Sequence, residues 1–256
     1  MKYAALFLLT AVFSIGSCSH RIPTATVELI DTSLSISPRA EASALNAVRK
    51  QIDQMGRGDR LILIPVTGDA KNDAGGRVLR LEAPTVRETY DTDLRRFQTE
   101  AKNQFSAWAA MHGAEAARTD LLGSMDVARQ ELTSLADGTA RRLILVSDLI
   151  EDDGDLHFAY DPRLADPPHA RELAINLRGE DKPSWRSVAV CLGRLESTDF
   201  GALPNERRQA IDVFWKEFFG GGGTSPDVQI DGIGLLENLN DECPAKVAST
   251  VAGGAQ

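Results

Sequence analysis

The sequence predicts an α/β protein with a doubly wound, mostly parallel central sheet and helices on both faces. Short apolar runs that suit buried strands alternate along the chain with longer segments whose apolar residues recur at helical spacing. Residues 61–66 form an unbroken apolar run, which is typical of a strand in a parallel sheet that is covered on both faces. The length of 256 residues allows one large domain, and neither a change in composition nor an internal repeat divides it.

Each predicted element follows from a local signal. The first strand covers residues 26–31, and Ser37 followed by Pro38 is the start signal of a helix over 39–55, which Gly56 ends. Residues 67–76 are polar and contain glycine, which predicts a loop. The later elements are an edge strand over 77–81, a helix over 89–112, a helix from Thr119 or Asp120 to 135, a strand over 142–148, a short helix over 169–177, a strand over 187–193, a helix over 205–219 and a weaker strand over 228–233.

The N-terminus predicts export and anchoring. One positive charge at Lys2 precedes a short apolar run and small residues, which is the pattern of a signal peptide over residues 1–17. The ending Ile15-Gly16-Ser17-Cys18 resembles the bacterial lipobox, which implies cleavage before Cys18 and lipidation of its thiol. We therefore expect a lipoprotein of the bacterial cell envelope that faces the periplasm. Ordinary signal cleavage, which would leave a soluble periplasmic protein with a free Cys18, is the alternative.

The net charge narrows the classes of molecule that the chain is expected to bind. A net charge of -9 gives no basic footprint for nucleic acid, and membrane contact is expected through the lipid anchor alone.

After a tether over residues 18–25, one domain over 26–240 precedes a flexible tail over 241–256. Cys191 and Cys243 could form a disulfide in an oxidising envelope, or Cys191 could be a buried small residue in its apolar run. The sequence leaves both readings open.

Oxygen-bearing side chains are predicted to meet at one edge of the sheet. The first strand leads directly into Asp31, Ser33 and Ser35, Thr119 enters a helix, and Asp148 ends a later strand. Ligands of open α/β sheets bind at the carboxyl ends of the strands, so these five side chains are expected on one rim. Carboxylates and hydroxyls are hard oxygen donors that suit Mg²⁺. The pattern therefore predicts a cation site.

The same residues resemble a known family. Residues 31–35 match the D-x-S-x-S motif of von Willebrand factor type A domains, and Thr119 and Asp148 match that family's two later elements in order. The resemblance covers roughly residues 26–233. It implies a metal-ion-dependent adhesion site in which Ser33, Ser35 and Thr119 coordinate Mg²⁺, with Mn²⁺ or Ca²⁺ as alternatives, and in which Asp31 and Asp148 bind the ion or orient the hydroxyls. One coordination position would bind an Asp or Glu carboxylate of a partner protein.

Several alternatives accompany this interpretation. Many members of the family have glycine after the last aspartate, where this chain has Leu149, so the geometry of that loop is in question. Asp120 could cap its helix or support the metal. The acidic residues 151–155 are interpreted as a solvated rim. We expect a binding protein and not an enzyme. There are two other hypotheses: a metal-dependent phosphohydrolase with Asp31 as nucleophile, and a structural protein with a degenerate, metal-free site.

Overall fold

A computed structural model describes residues 21–112, 118–154, 156–178, 185, 187–220, 229–232 and 239–247. The predicted signal peptide, the lipidation site Cys18 and the last nine residues lie outside this described part. The strands are β1 Thr24–Asp31, β2 Arg60–Val66, β3 Leu79–Glu82, β4 Ala140–Ser147, β5 Asp152–Asp153, β6 Leu156–His157, β7 Ala189–Arg194, β8 Gln229–Gly232 and β9 Lys246–Val247. The helices are α1 Pro38–Gln54, α2 Ala70–Arg77, α3 Tyr90–His112, α4 Leu121–Thr133, α5 Pro167–Arg178, α6 Thr198–Ala202, α7 Asn205–Gly220 and α8 Leu239–Glu242, with a short 3-10 helix at Pro162–Leu164.

The predicted fold class is confirmed. The central sheet has the strand order β3-β2-β1-β4-β7-β8, and all neighbours in it are parallel except β3, which runs antiparallel to β2. β9 adds a short antiparallel pairing with the start of β4. Parallel strands begin at one edge and end at the other, so the carboxyl ends of β1, β2, β4 and β7 lie along one edge of the sheet.

Helices cover both faces of the sheet because β1 alternates between two apolar layers. Ala25, Val27 and Leu29 point toward the layer that contains α4, α5 and α7. Ile30 points toward the opposite layer, where it packs with α1 and α3. Residues of β1 and β4 on both faces are almost fully buried, which explains why their sequences are nearly continuous apolar runs.

The end of the described chain is fixed to the sheet. Cys191 in β7 and Cys243 after α8 form a disulfide with a Cα–Cα distance of 6.3 Å. Arg142 Nη1 also donates to the Cys243 carbonyl oxygen at 2.9 Å, and β9 then pairs with β4. Residues 241–247 are therefore part of the folded unit, although the sequence analysis assigns them to a flexible tail. At the other end β1 begins at Thr24, inside the predicted tether.

One predicted loop contains a helix. Residues 70–77 form α2, which the polar, glycine-bearing sequence does not favour. Its start is stabilised by Asp69, whose side chain accepts hydrogen bonds from the Asn72 backbone at 3.4 Å and from the Asn72 amide at 2.7 Å.

Among the described residues, no helix combines the length and the apolar character that crossing a membrane requires.

Candidate functional site

Asp31 lies at the base of the candidate site. It ends β1 beside the end of β4, where the Ser147 hydroxyl donates to its Oδ2 at 2.7 Å. Its Oδ1 accepts the Ser33 backbone N–H at 2.8 Å, which turns the chain sharply after the strand. The Asp31 side chain is only 1% exposed. The carboxylate therefore holds together the strand end and the loop that carries Ser33 and Ser35.

The two serines of this loop connect it to Asp148. Ser33 Oγ and Ser35 Oγ are 3.0 Å apart, and Ser35 Oγ donates to Asp148 Oδ2 at 3.1 Å. The other carboxylate oxygen of Asp148 accepts the Ile150 backbone N–H at 3.0 Å. Three oxygen atoms from two separate loops thus follow one another at nearly equal spacing.

Thr119 reaches the same place from the entry to α4. Its backbone pairs with Asp152 through hydrogen bonds of 3.3 and 2.9 Å. Its side chain lines a cavity of about 310 Å³, together with Ser33, Ser35 and Asp148. The structure therefore brings four of the five predicted ligands to one cavity, with Asp31 directly beneath through its bond to Ser33.

The oxygen spacing fits a small octahedral ion. Two neighbouring ligands of Mg²⁺, at bond lengths of roughly 2.0–2.1 Å, lie about 2.9 Å apart. The distances of 3.0 Å between the two serine oxygens and 3.1 Å to Asp148 are close to this value. Neighbouring equatorial ligands of a seven-coordinate Ca²⁺, at roughly 2.3–2.6 Å, would lie about 2.7–3.1 Å apart, so this spacing also admits Ca²⁺. The spacing of the donor oxygens therefore suits Mg²⁺ or Mn²⁺ and also admits Ca²⁺, and ion binding itself stays a prediction.

The electrostatics of the site favour a cation. Burial and the neighbouring Asp148 charge raise the pKa of Asp31 to about 6, against hydrogen bonds from Ser147 and Ser33 that lower it. Burial likewise raises the pKa of Asp148. Among the described residues that line the cavity there are four carboxylates and neither lysine nor arginine. Two buried carboxylates that repel each other are stabilised when a cation lies between them.

Two residues of the site are not predicted from the sequence. Ser197 and Asp199 follow β7, whose carboxyl end lies at the same edge of the sheet. The Ser197 side chain is close enough to the Asp148 carboxylate to lower its pKa, and its hydroxyl accepts the Phe200 backbone N–H at 3.0 Å, which caps α6. Asp199 lines the cavity, and its charge contributes to the raised pKa of Asp148. A hydroxyl shortly after a buried strand is the signal that could have revealed Ser197.

Asp120 has the capping role that the sequence analysis considers. Its Oδ1 accepts the Gly123 backbone N–H at 2.6 Å and its Oδ2 accepts the Ala70 backbone N–H at 3.1 Å, so it connects α4 with α2. Glu151 lies beside it and accepts the Leu122 backbone N–H at 2.9 Å. Glu151 is 1% exposed, so it is not part of a solvated rim. Burial raises its pKa well above the usual range.

Carboxylate oxygens of Asp120, Glu151 and Asp153 lie within 4.8 Å of one another and could hold a cation. The first two carboxylates already accept backbone N–H groups at the start of α4, where negative charge is favourable. This arrangement explains their burial without an ion. The hydroxyl-rich cavity remains the better candidate because its oxygens face open space.

Leu149 adopts the backbone conformation that glycine favours. Its φ angle is 69°, and it is the only non-glycine residue with a positive φ in the described part of the chain. Its side chain is fully buried, and its carbonyl oxygen accepts the Trp215 indole N–H at 2.9 Å. The loop after Asp148 therefore keeps the turn although glycine is absent.

The fold occurs in other proteins of known structure. No family model and no curated protein matches the sequence. A pilus adhesin, SpaC from Lactobacillus rhamnosus GG in the open conformation, is 13% identical with a TM-score of 0.50, over 87% of this chain and 29% of its own length. A von Willebrand factor type A structure from Catenulispora acidiphila is 17% identical (TM-score 0.42; 84% of this chain, 40% of that one). The manganese-loaded TRAP protein of Plasmodium vivax is 12% identical (TM-score 0.44; 88% of this chain, 74% of that one).

The fold is von Willebrand factor type A-like. The mostly parallel sheet, its antiparallel edge strand and the helices on both faces make up this architecture. At these identities the similarity concerns the fold alone. Ligands and partners of this chain have to be argued from its own residues.

Proposed function

We propose that the chain is a protein-binding module that holds Mg²⁺ among Ser33, Ser35 and Thr119 and uses the ion to bind a carboxylate of a partner protein. The supporting observation is that donors from three separate segments line one cavity, with the buried carboxylate of Asp31 beneath them. Mn²⁺ is the alternative ion that fits the same oxygen spacing.

The division of roles within the site supports binding of an external anion. Asp31 and Asp148 already accept hydrogen bonds from backbone N–H groups and hydroxyls, so they orient the loops that carry the donors. Neutral hydroxyls in direct contact reduce the charge of an ion less than carboxylates do. When bound, the ion would supply a positive centre for an incoming carboxylate, and the 310 Å³ cavity would admit a side chain.

The geometry offers no comparable support for a phosphohydrolase. A nucleophilic aspartate must reach the substrate, whereas Asp31 is 1% exposed and both of its oxygens accept hydrogen bonds. The residue two positions later is Ser33, which cannot act as the second carboxylate of such a site. We therefore propose binding without catalysis, at an envelope surface to which the predicted lipid anchor would attach the chain.

Calorimetric titration of the purified full chain with Mg²⁺ tests the proposal. We expect Ser33→Ala to weaken Mg²⁺ binding at least about 10-fold, because it removes a donor oxygen, and Asp31→Asn to weaken it by about 10- to 100-fold. Ser134→Ala, at an exposed serine that ends α4, is the matched control and should bind like the wild type. Circular dichroism checks that each variant is folded. Absent or equal binding in all four proteins would contradict the ion site.

Retention of a partner tests the second half of the proposal. The immobilised chain should retain a protein from envelope extract in the presence of Mg²⁺ and release it when a chelator is added. Ser33→Ala should retain less of the same protein, whereas Ser134→Ala should retain an equal amount. Retention that is insensitive to chelator would show that the partner binds elsewhere.

A further inference from the structure

One wall of the candidate cavity is an aromatic surface held in place by its own contacts. β5 and β6 form a two-stranded hairpin in which Asp152 is paired with His157. The Asp152 carboxylate also hydrogen-bonds the His157 ring. Tyr160 stacks on that ring at 5.0 Å between centroids and 19° between planes, and its backbone N–H donates to the His157 carbonyl oxygen at 3.1 Å. The tyrosine side chain is nevertheless 68% exposed.

An aliphatic side chain stands in the opposite loop. Leu34 lies between the two serines of the motif and is 67% exposed. Its loop is fixed by the Ile36 backbone N–H, which donates to the Ser33 carbonyl oxygen at 3.1 Å, and by a bridge between Ile36 and Ser197. Leu34 and Tyr160 both line the 310 Å³ cavity. Large apolar side chains that stay exposed on rigid supports beside a polar cavity are typical of protein-binding surfaces.

The charge around the cavity indicates what kind of segment could bind. Asp199 is exposed at the mouth, and Asp152 is half-exposed on the hairpin. The described lining contains neither lysine nor arginine, and the whole chain carries a net charge of -9. A second copy of this chain would bring the same acidic edge to the contact and would be repelled. A segment of another protein with a basic residue near its carboxylate would be attracted.

We propose that Leu34 and Tyr160 form a specificity subsite for an aliphatic or aromatic side chain that neighbours the metal-bound carboxylate of the partner. This inference rests on the proposed function and adds the sequence character of the partner. The recognised segment contains Asp or Glu beside a large apolar residue, with Lys or Arg close enough to approach Asp199. Because stacking on His157 already restrains the Tyr160 ring, less side-chain freedom is lost when the apolar residue packs against it.

A displayed library of random linear peptides provides the probe. The library is selected in Mg²⁺ on the immobilised full chain, bound peptides are released with chelator, and individual peptides are then titrated. We expect enrichment of an acidic residue next to a large apolar one. Removal of the ring in Tyr160→Ala should weaken these peptides about 10-fold, as truncation of an interface tyrosine commonly does. Leu34→Ala should weaken them in the same direction.

Two controls separate the subsite from general damage. Tyr160→Phe keeps the ring and should retain the peptides. Val86→Ala removes an exposed apolar side chain that follows β3, near the edge where β2 begins, and should have no effect. The Mg²⁺ affinity of every variant is measured in parallel and should stay equal to that of the wild type.

The outcomes distinguish this inference from the proposed function. If Mg²⁺ binds but the enriched peptides show no preference for an apolar neighbour, or if Tyr160→Ala binds them as tightly as the wild type, the subsite is refuted and the ion site stands. If light scattering shows an Mg²⁺-dependent dimer that Tyr160→Ala abolishes, the occupant is a second copy and the inference is wrong. If no variant and no wild-type protein binds Mg²⁺, both proposals fail together.

Discussion

Leu149 offers a direct test of how the loop after Asp148 is stabilised. Its left-handed backbone, with φ of 69°, carries a cost of about 1–2 kcal/mol for a residue with a Cβ atom. Its fully buried side chain packs in the larger apolar layer and offsets that cost. Glycine would remove the strain but would also remove the packing.

The two contributions can be separated by comparing Leu149→Ala with Leu149→Gly. Loss of a buried leucine side chain costs about 3–5 kcal/mol, and both variants incur it. Alanine keeps the backbone strain, whereas glycine removes about 1–2 kcal/mol of it and adds about 0.5–1 kcal/mol of backbone entropy. We therefore expect Leu149→Gly to be as stable as Leu149→Ala, or more stable by up to about 1.5 kcal/mol.

Urea denaturation of the purified chain, followed by circular dichroism, measures this difference. Leu145 is the matched control because it is equally buried and lies inside β4 with ordinary strand geometry. There, Leu145→Gly should be less stable than Leu145→Ala by about 0.5–1 kcal/mol. If the glycine variant is less stable than the alanine variant by the same amount at both positions, the Leu149 backbone carries no such strain.

Three further predictions concern stability. Burial raises the pKa of Glu28 to about 7 in the folded chain. The contribution of Glu28 to the free energy of unfolding is therefore fully present below pH 4.5 and is lost as the pH rises toward 7. Over that window the free energy of unfolding of the wild type should fall by about 3 kcal/mol relative to Glu28→Gln, measured by urea titration at each pH. Reduction of the disulfide between Cys191 and Cys243, 52 residues apart, should cost about 4 kcal/mol and lower Tm in calorimetry; an unchanged Tm would contradict this. Asp120→Ala leaves backbone N–H groups of two helices without an acceptor, and we expect it to lower the free energy of unfolding in urea titration by about 1–3 kcal/mol. Asp137→Ala, at an exposed position, is the control and should leave the free energy of unfolding unchanged.

The effect of Glu28 on the pH dependence of stability can be separated from the effects of the other acidic residues. It lies in β1 with no exposed surface, and neither carboxylate oxygen accepts a hydrogen bond of normal geometry. Gln51 lies beside Glu28. The Gln51 amide and the charge of Arg142 both lower the pKa of Glu28, but burial raises it by more than they lower it together. Replacement by glutamine preserves shape and removes only the ionisation. Wild type and variant share every other titrating group, so their difference isolates Glu28.

Much of the fold follows from periodicity in the sequence. The strands and helices that bury a full face, such as β1, β4, α1 and α7, are predicted within about two residues because their apolar spacing is strong. The elements missed or assigned to loops are α2, α6, α8, β9 and the hairpin of β5 and β6. These are short and polar, and they form because neighbouring parts of the fold support them. β9 exists because the disulfide and β4 hold residues 246–247 in place.

The candidate site is predicted in part for a comparable reason. Asp31 ends β1, Ser33 lies two residues later and Asp148 directly follows β4. Parallel strands end at one edge, so the proximity of these residues could be inferred without coordinates. Ser197 comes three residues after β7 in an irregular segment, and its position near Asp148 depends on how that segment turns. The wall formed by His157 and Tyr160 depends on a hairpin that has no strand periodicity.

The sequence by itself determined the layer architecture, the edge at which the hydroxyls and carboxylates meet, and the acidic character of the chain. These properties depend on residue type and local spacing. Only the tertiary structure decided that Cys191 faces Cys243, that Glu151 is buried against α4, and that Leu149 takes a left-handed turn. Each of these depends on the distance between segments far apart in the chain, or on a backbone angle whose cost is offset by burial of the same side chain. Such quantities are set by the packing of the whole domain, which no local pattern contains.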